Sequence, residues 1–272
     1  MKSTRNARNV TVPVGTLLLA GALALLYVPA LAQTRPERLS DKDVKTLIDQ
    51  VDQGRDKFEG NLDGKFKDST LRGATGEVKV SGALQDYQDN TKKLKDRFTA
   101  DYAGSTEVAT VLRQSTAIDT FMQGAASNMK GRNEWDRQVM YLKQLAAAYG
   151  TTFPLPDGAA VRRMNDKETA GEAGAIASAA GRFKSDLDKD KTLAKADKDA
   201  ARKDVDLLIK QADAVKSRTS GGKPATAEVR QVAETLARLE GFVGAHPNVA
   251  KTNWNAVQIS FGRLQQAFGL TR

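Results

Sequence analysis

The sequence predicts an all-α fold: two tandem four-helix up-down bundles from an internal duplication, after a cleaved signal peptide. Three observations predict it. The segment Arg38-Leu39-Ser40-Asp41-Lys42-Asp43 returns 125 positions later as Arg163-Met164-Asn165-Asp166-Lys167-Glu168, and the likeness runs on for about a hundred residues after each. Apolar residues in both copies recur at steps of three and four, the period of a helix face. A proline-containing stretch separates the copies.

Residues 1–32 have the layout of a signal peptide. Lys2, Arg5 and Arg8 form a basic start, Val14 to Val28 is apolar, and Ala30-Leu31-Ala32 offers small residues at the spacing of a cleavage site. Cleavage is expected after Ala32, which places the mature chain in a periplasm or outside the cell. An uncleaved anchor is the rival reading, because no charge occurs between Arg8 and Arg35. Pro13, Pro29 and the cleavage site argue against it, so no integral span is expected after cleavage.

The remaining divisions are a first helical-bundle repeat over 33–150, a Pro-rich linker over 151–162 and a second repeat over 163–272. Each repeat opens on a helix start. Ser40 and Asn165 are favoured N-caps, with Asp43 and Glu168 three residues later to complete a capping box. Leu39 and Val44 have the spacing of a hydrophobic staple. Arg38 and Arg163 are left without a local structural reason, which makes them candidate interface residues.

The first helix then carries Val51, Phe58 and Leu62, matched by Ile176, Phe183 and Leu187. The copies part over 64–83, where Gly64, Gly73, Gly76 and Gly82 flank Val78-Lys79-Val80. That stretch reads as a loop with a brief strand or hairpin. Its counterpart, 189–204, lacks glycine and is compatible with continuous helix. The second helix follows at an offset of 121, Leu84, Tyr87 and Leu94 matching Val205, Leu208 and Val215. The third pairs Val108, Val111, Ile118 and Phe121 with Val229, Val232, Leu239 and Phe242. The fourth shifts to 119, pairing Trp135, Leu142, Leu145 and Tyr149 with Trp254, Phe261, Leu264 and Phe268. Gly150 and Gly269 follow as helix ends. Between the repeats, Pro154, Pro156 and Gly158 prevent a continuous helix, and Phe153 or Leu155 is expected to pack at the junction.

Charge and chemistry narrow the function mainly by exclusion. The formal charge is +9, but Lys2, Arg5 and Arg8 belong to the leader. Lys92, Lys93, Lys95 and Arg97 are interleaved with acids, as on a solvated helix face. No basic stripe with interleaved aromatics points to specific nucleic-acid binding. The absence of cysteine removes disulfides and thiolate-bound metals. His246, in Gly244-Ala245-His246-Pro247, has no second histidine for a metal site and no visible triad. Asp186, Asp188 and Asp190 lack the glycine and distal glutamate of a calcium loop. No catalytic, cofactor-binding or metal-binding residue is assigned, and no cofactor is implied. Trp135 and Trp254 are candidate pocket walls at equivalent positions, although their register with the apolar stripe suits core anchors.

The expectation is an exported, non-enzymatic interaction or binding module with a protein or envelope partner. The alternative is a small-molecule sensor or carrier that binds inside or between the bundles. Weak association with an anionic surface, through the more basic second repeat, is a further expected partnership.

Overall fold

A computed structural model describes residues 38–73, 76–125 and 128–270, all within one unit. The region assigned to the signal peptide lies outside the described residues. The described chain is mostly helical. Its elements run α1 (Asp41–Asn61), α2 (Gly64–Lys67), β1 (Thr70–Gly73), β2 (Gly76–Lys79), α3 (Val80–Arg97), α4 (Ser105–Gly124) and α5 (Arg132–Ala148), then α6 (Asp166–Lys189), α7 (Lys195–Ser220), α8 (Thr226–Ala245) and α9 (Thr252–Phe268). No helix among the described residues is long and apolar enough to cross a membrane.

Both expected helix starts are built as capping boxes. Ser40 Oγ accepts from the Asp43 N–H at 3.2 Å while the Asp43 carboxylate accepts from the Ser40 N–H at 3.3 Å. Asn165 and Glu168 make the same exchange at 2.7 and 2.9 Å. The longer glutamate reaches back more easily than aspartate, which explains the tighter second box.

In the first half, α1 packs against α3 and α5, and α4 packs against the same two helices. In the second half, α6 and α8 each pack against α7 and α9. The stripes read from the sequence supply two separate apolar clusters. One runs from Val44 through Tyr87, Val111 and Leu142 to Phe153. The other joins Ile176, Leu208, Val232 and Leu264 to Phe268. Alanines at 170, 173, 179 and 180 fill the buried face of α6. Their small side chains let neighbouring helices approach closely.

The divergent segment after α1 is a short helix and an antiparallel hairpin pairing Thr70 with Lys79 and Gly73 with Gly76. Leu71 is buried and ties the hairpin to the first core. The counterpart segment departs from continuous helix. Asp190 ends α6 and accepts from both the N–H and the hydroxyl of Thr192, at 2.7 and 2.6 Å. This local aspartate turn competes with helical hydrogen bonding and breaks the chain before α7. The linker expectation also needs correction. Phe153 is buried in the first cluster and Leu155 packs against it, with the Leu155 N–H on Thr116 Oγ1 at 3.0 Å. The linker is therefore fastened to the first half.

Candidate binding site

The two arginines without a local role are explained across the chain. Arg38 donates from Nη1 to Asp166 Oδ1 at 2.7 Å and from Nη2 to the Met164 carbonyl at 2.8 Å. Arg163 answers with Nη2, which donates to Asp41 Oδ1 at 2.6 Å and to the Leu39 carbonyl at 2.9 Å. The aspartates complete the exchange. The Asp41 N–H donates to Asp166 Oδ2 and the Asp166 N–H to Asp41 Oδ2, both at 2.8 Å. Each carboxylate thus serves a free N–H of the other helix's first turn. There it also meets the positive end of that helix's dipole.

The arginine side chains are 6% and 2% exposed. Two guanidinium groups this close repel each other, so the paired aspartates are required. The Arg38 pKa is lowered from its ordinary value, first by burial and next by the Arg163 charge, against the opposing pull of Asp166. Arg38 also lies over the Phe268 ring, 5.6 Å from its centroid, a cation–π contact.

This clamp forms one wall of a cavity of about 710 Å³. The C-terminal ends of α5 and α9 form much of the rest. Ala147, Ala148, Gly150 and Thr151 come from the first half, and Gln266, Ala267, Phe268 and Gly269 from the second. Helix endings shape this rim. Gly150 and Gly269 have φ of +70° and +62°, the left-handed conformation that closes a helix. The N–H groups of Thr151 and Leu270 then bond back to the carbonyls of Ala146 and Gln265. Arg38, Lys143, Arg162 and Arg163 all line the cavity, and among the described residues no carboxylate does. Lys143 and Arg162 are exposed, and neither side chain makes an ion pair among the described residues. The clamp's own charges are balanced, so these two cations dominate the cavity's field.

The tryptophans lie elsewhere. Trp135 and Trp254 are both buried, in different cores. Trp135 packs 4.9 Å from the Phe58 ring and donates from Nε1 to Asp119 Oδ1 at 2.8 Å. Trp254 packs 5.5 Å from Phe183. Neither lines the junction cavity.

The first core has polar groups in its interior. Gln138 Nε2 donates to Tyr87 Oη at 2.6 Å and to the Val51 carbonyl at 2.9 Å. Burial pushes the Tyr87 pKa up to about 12, although hydrogen bonds with Ser115 and Gln138 oppose it. Arg55 is 1% exposed and pairs with Asp52, Asp56 and Glu59 along its own helix. At the corresponding offsets the second half has Ala180 for Arg55, Leu208 for Tyr87, Leu236 for Ser115 and Val257 for Gln138, all buried. The mismatch between aligned stripes was visible in the sequence at these four positions, but matching by apolar residues passes over it.

His246 stacks on Phe242 with ring centroids 4.4 Å apart, and its Nδ1 lies 2.9 Å from the Phe242 carbonyl. Its Nε2 is 3.7 Å from Asp197. No group of three or more histidine and acidic residues among the described residues has metal-binding geometry.

No family model, curated protein or solved structure matches this chain.

Proposed function

We propose that this is an exported, non-enzymatic binding protein built from two tandem, duplicated four-helix bundles, with its ligand site where the halves meet. In this reading residues 1–32 are removed on export and the mature chain works in a periplasm or outside the cell. The observation that carries the reading is the junction cavity. Its volume of about 710 Å³ falls in the usual range for small-molecule sites. It joins an apolar wall to a few cationic groups, as such sites commonly do. The buried clamp beside it holds both helix starts in place, so the cavity needs little ordering before a ligand enters.

The test is native mass spectrometry of the protein recovered from the envelope or medium of an exporting host. A bound small molecule is expected on the wild type and not on Ala147→Trp, whose indole fills the cavity. Equal retention by both proteins would overturn the reading.

A second reading, contact with a protein partner through α5 and α9, is favoured by one observation. Met140 and Ile259 stand at the same 119 offset, 58% and 59% exposed. Two large apolar side chains left in water at matched positions suit a surface covered by another protein. Met140→Lys and Ile259→Lys would then abolish capture of that partner while leaving the cavity ligand bound.

A further inference from the structure

We propose that the junction cavity selects an anionic amphiphile, with a single carboxylate at Lys143 and Arg162 and an apolar body along Leu39, Ala147 and Phe268. This inference rests on the binding-protein reading above and adds the ligand's chemistry to it.

Four cations line the cavity, but they are not equivalent. Arg38 donates from Nη1 and Nη2 to Asp166 and the Met164 carbonyl. Arg163 donates from Nη2 to Asp41 and the Leu39 carbonyl, its buried Nε having no hydrogen-bond partner among the described residues. Both guanidinium groups are held in buried ion pairs. Lys143 and Arg162 have no such partners among the described residues. Both border the cavity and are open to solvent. A ligand carboxylate is therefore directed to these two, where it displaces water and breaks no internal ion pair.

Helix orientation limits how much negative charge the site tolerates. Phosphate sites commonly use free N–H groups at helix N-termini. Here the N-termini of α1 and α6 are occupied by each other's aspartates. The helix ends that border the cavity are the C-termini of α5 and α9, whose dipoles present partial negative charge. A polyphosphate or nucleotide would meet those ends with two free cations and no vacant N–H cradle. A monoanion suits the field better. The wall of alanines, leucine and the Phe268 ring then supplies the apolar surface that a lone carboxylate does not need but an amphiphile does.

The experiment is calorimetric titration of the full chain with dodecanoate below its micelle concentration, with dodecyltrimethylammonium as the cationic counterpart. It compares the wild type, the double variant Lys143→Glu with Arg162→Glu, and Ala147→Trp. All substituted positions are exposed, and circular dichroism verifies equal helix content. Saturable dodecanoate binding is expected for the wild type. Charge reversal should weaken it about tenfold or more, as two partly screened charges allow, and Ala147→Trp should abolish it. Absence of wild-type dodecanoate binding overturns the proposal. Binding lost in Ala147→Trp but indifferent to charge reversal overturns the anionic head group and leaves the cavity reading standing. Binding indifferent to Ala147→Trp overturns both.

Discussion

Asp41 and Asp166 each cap the helix that the other begins, through two N–H to carboxylate bonds of 2.8 Å. Arg38 and Arg163 cross the same gap in opposite directions to hold those carboxylates. With the arginine bonds to the Met164 and Leu39 carbonyls, six hydrogen bonds join the two halves around one point. A buried ion pair is weak evidence of net stabilisation over an apolar substitute. Breaking one is costly, because a charge is left without its partner. Arg163→Ala should therefore lower unfolding free energy by about 3–5 kcal/mol in denaturant titration. A double-mutant cycle with Asp41→Ala should return a coupling of about 1–3 kcal/mol. Additive losses would show that the pair is not an energetic unit.

Gly54 and Gln138 form a complementary pair. A Cβ added at Gly54 would overlap Gln138 Oε1, a buried side-chain atom. At the matching positions the second half has Ala179 and Val257, both buried. Gly54→Ala should cost about 1–3 kcal/mol through overpacking, even though alanine is the better helix former. Adding Gln138→Val, the second half's solution, should recover part of that loss. No recovery in thermal unfolding would refute the complementarity.

Alkaline stability follows from the buried tyrosines. Tyr87 is raised from 10.0 to about 12 by burial, and burial raises Tyr149 as well. A raised folded pKa means that the folded state holds its proton while the unfolded state loses it. The contribution is complete below pH 10 and is lost progressively as pH rises from 10 towards 12 for Tyr87. Unfolding measured across that window should show stability falling with pH, and Tyr87→Phe should flatten the slope. The substitution also leaves Gln138 Nε2 with one fewer acceptor, so the variant should be less stable by about 1–2 kcal/mol near neutral pH.

The two tryptophans should respond unequally. Trp135 supplies both an aromatic contact and a hydrogen bond to the buried Asp119, whereas Trp254 contributes a ring contact with Phe183. Trp135→Phe leaves a carboxylate oxygen short of a donor and should cost about 1–3 kcal/mol more than Trp254→Phe. Equal losses by chemical denaturation would refute this assignment.

Much of the secondary structure was legible before any coordinates. Ser40 with Asp43 and Asn165 with Glu168 are local pairs, so sequence spacing alone reveals them. Apolar steps along α1, α4 and α8 reveal buried faces for the same reason. The run of charges from Asp186 to Asp190 reads as a helix end, and α6 does end there. An aspartate turn leaves no glycine or proline to mark it, however, so 189–204 also reads as compatible with continuous helix. Tyr87, Ser115 and Gln138 are not legible as a network, because Tyr87 passes for an apolar member of its stripe while Ser115 and Gln138 read as interruptions in theirs.

The sequence by itself determined where helices begin, which faces they bury and which residues close their ends. Those choices depend on interactions within about one or two helical turns. The tertiary structure decided that Arg38 reaches Asp166, that Arg163 reaches Asp41, and that Lys143 and Arg162 border the same cavity. Such relations join residues far apart in the chain. They exist only after two helix starts and two helix ends have been brought to one place by the packing of their apolar faces.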